Sequence, residues 1–317
     1  MNTEMNTEAQ FLHLTRGASI LATQLAPTRE RRSIAWNKVV VHLILTTIGL
    51  ACLIPMILVI SVSLSDEKIV AREGYSLLPV GFTTFAYDYI LRNPTQIVRA
   101  YGVTLFVTVT GTIAGLLLCS LLGYAISRKD YRLRGPLSFI VFFTLLFNGG
   151  MVPFYILVTR YLGLKDNILA LILPYMVTAW YVLILRTSFS QLPGELLEAA
   201  RIDGAGEWRI FFQIVLPLSK PALATVALFF ILRYWNDWFL ALLFINKDTL
   251  YPLQYLLYVL MKNMSFLASN PQTTGIALPV QSARMAMAVL AFGPALFSFL
   301  LLQKYFVRGI TIGGLKG

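Results

Sequence analysis

The sequence is short of charge, of histidine and of cysteine, and each shortage closes a class of function. Asp, Glu, Lys and Arg make up 13% of the 317 residues and hydrophobic residues 57%, against about 25% charged in an ordinary soluble domain. With a mean hydropathy of +0.70, a fold with a solvated, charged surface is excluded. The 2 histidines, His13 and His42, lie in no HExxH arrangement. There is also no GxSxG elbow and no carboxylate pair inside an apolar run, so the sequence offers neither a metal site nor catalytic residues. GxxxxGK[ST] spacing is absent as well, which leaves no phosphate-binding loop for a nucleotide. Cys52 and Cys119 both fall inside apolar runs, where packing, and not a disulfide framework or thiolate metal site, is expected.

What the sequence has is long apolar runs, six of them, at about 39–62, 101–127, 137–161, 167–190, 218–245 and 284–306. In lipid a backbone must satisfy its own hydrogen bonds, so runs of about 20 residues are read as helices and the fold class is an all-α membrane protein with six transmembrane helices. The first run begins too far in, and is too long, for a cleavable signal. It divides the chain into a cytoplasmic N-terminal segment (1–38), a transmembrane domain (39–307) and a C-terminal tail (308–317). Within residues 9–25, Phe11, Leu14, Ala18, Leu21 and Leu25 recur at helical spacing; an amphipathic helix on the membrane face and a tail without structure are both open.

Lys and Arg number 26 against 15 Asp and Glu. They sit in short segments between apolar runs and not on one solvated face, so they are read as topology signals and not as a nucleic-acid surface. With the N-terminus inside, the cytoplasmic segments hold 16 of them and the outer segments 9, with Arg233 inside the fifth run. Both termini are therefore expected to be cytoplasmic in a multi-pass membrane protein.

The segment between the fourth and fifth runs, 191–217, is not patterned as a loop. Pro193 can open a helix, Leu196, Leu197, Ala200 and Ile202 give it an apolar face, and Gly204 and Gly206 break it. Trp208, Ile210, Phe211, Phe212 and Ile214 then start a second short apolar stretch that stops at Pro217. Helix, turn and helix are expected, presenting apolar surface that either a protein partner covers or lipid accepts.

Glu198-Ala199-Ala200, Gly204 four residues later, Ile214 ten after that, and Leu216-Pro217 resemble the cytoplasmic loop of binding-protein-dependent ABC importer permeases. The likeness runs over nearly all the chain, to the smaller permease of the carbohydrate-uptake (maltose-type) branch. It includes Trp235-Asn236-Asp237 and the terminal IGGLKG; FNGGMVPFYILV (147–158) looks like permeases for alginate, pectin or rhamnogalacturonan oligosaccharides. The resemblance implies a non-catalytic subunit in which Glu198, Ala199, Ala200, Asp203, Gly204 and Ala205 form coupling helices that contact an ATPase. It further implies a second related permease, two ATPase subunits that bind ATP and Mg, an external solute-binding protein, and no cofactor in this chain. Gly313, Gly314 and Lys316 of the tail would also reach the ATPase pair. Malto-type neutral sugars are the alternative solute.

Charge inside a span is costly and marks candidate sites. Arg233 and Asp237 stand at i,i+4 spacing; either they and Tyr234, Trp235, Asn236 and Trp238 face a solute pathway, or the two charges form an internal ion pair. Asn148, with Gly149 and Gly150, interrupts the third run, as pathway lining or as a kink. Tyr155, Tyr175, Trp180 and Tyr181 are expected to pack. The outer segments 64–99 and 246–284 are long enough to meet an external protein. A stand-alone secondary transporter is the remaining alternative, disfavoured because no internal repeat or midplane ion site is visible.

Overall fold

The computed structural model describes residues 33–269 and 279–293, and among them every regular element is a helix. Residues 9–25, the second half of the sixth run and the tail with Gly313, Gly314 and Lys316 lie outside the described residues. The chain divides into two compact units, 1–56 and 57–317. The described part of the first is a single helix, which runs on into the second.

That helix, α1 (Ser33–Ser63), is 31 residues long with Pro55 inside it; neighbouring turns tolerate such a proline in a membrane helix. Two short helices follow, α2 (Glu67–Glu73) and α3 (Phe85–Ile90). Next comes α4 (Pro94–Ser127), 34 residues with its proline at the first position, where the missing N–H costs nothing. It starts before the expected residue 101 because its first turns carry polar side chains that hydropathy discounts. At about 1.5 Å per residue it is longer than the roughly 30 Å hydrocarbon layer and projects beyond it.

The next three runs depart from straight spans. α5 (Arg134–Leu146) and α6 (Met151–Ile156, continued by a π-helical turn Leu157–Tyr161) meet at a 115° bend. α7 (Leu169–Ile172, tightening into a 3-10 turn Leu173–Tyr175) and α8 (Ala179–Ser190) bend by 49°. The loop after α8 folds as α9 (Gly194–Ile202), then α10 (Glu207–Ile210) with a π turn Phe211–Val215 and α11 (Leu216–Leu218). This last stretch enters α12 (Lys220–Trp235) at 84°. α12 stops at Trp235, short of the expected 245, and the chain resumes as α13 (Phe239–Phe244). α14 (Leu253–Ser269) and α15 (Val280–Gly293) complete the described residues. Among the described residues, α1 and α4 alone are long and apolar enough to cross a membrane unaided, and up to five spans result if each bent pair counts as one.

α4 is the hub, packing most extensively on α8 and α12. Gly111, Gly115, Cys119 and Gly123 recur every fourth residue along it, and small residues let membrane helices approach closely. A Cβ added at Gly111 would fall 2.5 Å from the Tyr234 ring, and one at Gly115 2.8 Å from Phe230. Cys119 is buried there as expected, whereas Cys52 is exposed on α1. A second apolar cluster joins α3, the start of α4, α14 and α15 around Trp235 and Leu256. Glu67 accepts hydrogen bonds from the backbone N–H groups of Gln281 and Ser282, both at 2.9 Å. A carboxylate there satisfies free donors at the start of α15 and ties the segments 64–99 and 246–284 together.

Candidate functional site

In the segment 191–217 the expected helix, turn and helix are in place. Pro193 precedes α9 in an extended conformation (ψ 124°) and Gly204 adopts φ +80°, which a residue with a Cβ resists. The turn closes with Ala205 N–H donating to the Ala200 carbonyl at 2.9 Å. Of the six loop residues singled out, Ala200 is buried, Ala205 half-buried, and Glu198, Ala199, Asp203 and Gly204 are exposed. Glu198 forms no ion pair among the described residues. Ile202 is 86% exposed and Trp208 67%, the latter stacked on Phe212, so the loop presents apolar side chains beside an unpaired carboxylate.

Behind this face lies a polar cluster that reading the sequence missed. Arg201 of α9 pairs with Asp130 at 2.8 Å and also with Glu207. Arg128 pairs with Asp130 at 3.1 Å, and the Tyr124 hydroxyl, near the end of α4, donates to Glu207 at 2.7 Å. These three ion pairs are the only ones among the described residues. Hydrogen bonds from Arg128 and Arg201 hold the Asp130 carboxyl well below the usual carboxylate range. Burial pushes Glu207 upward, but bonds from Tyr124 and Arg201 outweigh it and leave it lowered. The one available signal was that Asp130 is the lone acid in the basic stretch 128–134. A cavity of about 490 Å³ opens inside the cluster, lined by Leu121, Tyr124, Trp208 and Phe211 among others.

A second cavity, about 780 Å³, lies where α5, α6 and α12 converge, and brings Asn148 and Arg233 together with Thr144, Tyr175, Thr178 and Trp180. Asn148 accepts the Gly150 N–H at 2.9 Å, and Gly150 at φ +87° starts α6, so this interruption builds the bend. The Arg233–Asp237 ion pair, one of the two readings left open by their spacing, does not form. α12 ends between them, and helical i,i+4 geometry ends with it. Instead the Arg233 guanidinium lies 4.0 Å over the Tyr175 ring, while the Tyr175 hydroxyl donates to Asp237 at 2.7 Å. Asp237 also accepts the Leu240 N–H at 3.2 Å.

Other residues of that group turn elsewhere. Tyr234 is 2% exposed and donates to the Ile172 carbonyl; Trp235 is 5% exposed and donates to the Ala291 carbonyl. Both are core and not cavity lining, because the hydroxyl and indole N–H find backbone partners inside the bundle. Asn236 turns back onto the Leu232 carbonyl, and Trp238 stacks on Tyr258 at 5.0 Å. Conversely Tyr175 and Trp180, expected to pack, line the cavity, and Trp180 is 59% exposed.

Comparison with known proteins places these features in context. Residues 34–312 match the family described as binding-protein-dependent transport system inner membrane component. The polygalacturonan/rhamnogalacturonan transport system permease protein YtcP of Bacillus subtilis (strain 168) is 39% identical over 85% of this chain and 94% of its own length. The maltodextrin transport system permease protein MdxG of the same organism is 32% identical over 89% and 97%. Among solved structures, a chain in the crystal structure of a bacterial ABC transporter involved in the import of the acidic polysaccharide alginate superposes with a TM-score of 0.72 at 29% identity. It covers 87% of this chain and 98% of that one.

Proposed function

The chain belongs to the family of binding-protein-dependent transport system inner membrane components, and from that premise we propose that it is one of two related permeases of an ATP-driven oligosaccharide importer. It is a non-catalytic membrane subunit, as its relatives are. In this reading six helices cross the inner membrane with both termini cytoplasmic. The exposed face of α9 and α10, with Glu198, Ala199, Asp203 and Gly204, seats one of two ATPase subunits that bind ATP and Mg. Closure of the ATPase pair pushes this loop and re-aims the spans in alternating access. The outer segments receive a solute-binding protein.

The solute is proposed to be a fragment of an acidic polysaccharide, pectin-like or alginate-like. The observation that carries this is Arg233: it lines the larger cavity, stacks on Tyr175 and makes no ion pair among the described residues. Its charge is therefore open to a uronate carboxylate, while Tyr175 and Trp180 offer ring faces and Asn148 an amide. Aromatic walls suit neutral sugars equally, and the maltodextrin relative keeps that second reading in play.

The test is ATPase activity of the co-purified complex in lipid nanodiscs with its binding protein, against neutral and uronic-acid oligosaccharides. Stimulation by uronic-acid oligomers is expected, lowered about tenfold in apparent affinity by Arg233→Gln, the loss of roughly one charged contact. Stimulation by neutral sugars alone, indifferent to Arg233→Gln, would discard the acidic reading. A complex without any ATPase would discard the importer.

A further inference from the structure

The docking face of α9 is held to the rest of the protein in an unusual way. Its apolar anchorage is slight, with Ala200 its one buried residue. Its chain connections are a proline-preceded entry at Pro193 and an exit through Gly204 and Gly206. Beneath it opens the cavity of about 490 Å³, and beside that cavity the buried Phe211 of the loop packs on the Tyr124 ring at 5.3 Å. α9 itself is joined across this cavity by the ion cluster: Arg201 on α9 to Asp130, 71 residues earlier in the chain, and, just after α9, Glu207 to the Tyr124 hydroxyl on α4, 83 residues earlier. Arg128, which pairs with Asp130, also lies 5.8 Å over the Tyr124 ring.

We infer that Asp130 is a positioning residue for coupling: it makes the segment after α4 part of the coupling element, clamping Arg201 of α9 to the cytoplasmic end of α4. Displacement of α9 then reaches α4 directly as well as through the chain on either side of α9, and α4 carries it into α8 and α12, against which it packs most extensively. Arg201 sits between two carboxylates, Asp130 and Glu207, so it can loosen one bond while keeping the other as the loop moves. Sequential exchange of this kind suits exposed ion pairs, which contribute little each to stability and form and break readily. The inference rests on the reading that α9 receives the motion of an ATPase.

The experiment uses the same complex in nanodiscs with its binding protein, carrying Asp130→Asn or Asp130→Glu. Asp130→Asn is expected to leave complex yield and basal ATP hydrolysis unchanged. Solute-stimulated hydrolysis, and solute moved per ATP, should both fall about fivefold or more, the lower end of typical coupling between sites. Asp130→Glu, which keeps the charge, should retain most of both. Undiminished stimulation and transport in Asp130→Asn would overturn the clamp alone. So would an equal loss of yield, basal and stimulated activity, which would mark Asp130 as a fold staple. A wild-type complex that retains no ATPase would overturn the docking reading, and the clamp with it.

Discussion

Halfway along α4 and at its cytoplasmic end, one helix is held by opposite means. In the middle it meets α12 through bare backbone, Gly111 against the Tyr234 ring and Gly115 against Phe230, and no charge takes part. At the end it meets the loop through the Tyr124 ring on Phe211 and, around a cavity, through the polar bonds among Tyr124, Glu207, Arg201 and Asp130. The solvent explains the difference. In lipid, water drives nothing together, so attraction comes from close contact, which small residues permit. At the aqueous rim charges are hydrated, their pairing is weak, and it can be rearranged without unfolding anything. The packed middle is therefore the harder of the two contacts to rearrange and the rim the easier, a difference that suits the coupling role proposed.

The largest expected effect comes from breaking the rigid half. Gly111→Leu would drive a side chain into the Tyr234 ring, whose hydroxyl is fixed on the Ile172 carbonyl at 2.8 Å. Overpacking costs about 1–3 kcal/mol and sometimes more, and the ring cannot swing away without losing a buried hydrogen bond. A drop in the yield of detergent-stable complex and in its thermal unfolding temperature is expected. Wild-type stability in Gly111→Leu would show the α4–α12 contact to be looser than described.

A smaller effect sharpens the contrast between the two sets of charges. In the membrane, Arg233 and Asp237 are joined through Tyr175 and not to each other, whereas at the rim the charges pair directly. Tyr175→Phe keeps the ring under Arg233 but removes the bond to the half-buried Asp237 carboxylate. The expected cost is about 2 kcal/mol for a charged group left short of a partner. In an Asp237→Asn background the same change should cost much less, and thermal unfolding of the four proteins measures the coupling. Additive losses would mean that Tyr175 acts by packing alone.

These contrasts were unevenly legible in the sequence. The first two runs, the helix-turn-helix of 191–217 and the interruption at Asn148-Gly149-Gly150 follow from hydropathy, proline and glycine, which act locally. The four-residue repeat Gly111, Gly115, Cys119, Gly123 was also there to be seen, as a face along which another helix could lie. The fate of Arg233 and Asp237 was not. Their i,i+4 spacing allowed an ion pair or a shared pathway face, but α12 ends at Trp235, whose indole is held by the Ala291 carbonyl of a distant helix. The clamp was equally hidden, since Asp130 and Arg201 are brought together only by the folded bundle.

The smallest expected effect concerns pH, and it bears on the rim. The Asp130 carboxyl is held well below its ordinary value, chiefly by the Arg128 bond and then by Arg201. A carboxyl lowered in the folded state contributes stability that is fully present above its unfolded pKa, about 3.9. That contribution is lost only as the pH falls through the lower, folded value. Glu207 is shifted in the same direction. Both therefore stay ionised from about pH 5 upward, and since the pairs are exposed their contribution is at most about 1 kcal/mol each. The ratio of solute-stimulated to basal ATP hydrolysis should thus be flat between about pH 6 and 8, in wild type and in Asp130→Glu alike. A step in that ratio, present in wild type and abolished by Asp130→Asn, would mean that the joint works by exchanging protons and not by exchanging partners around Arg201.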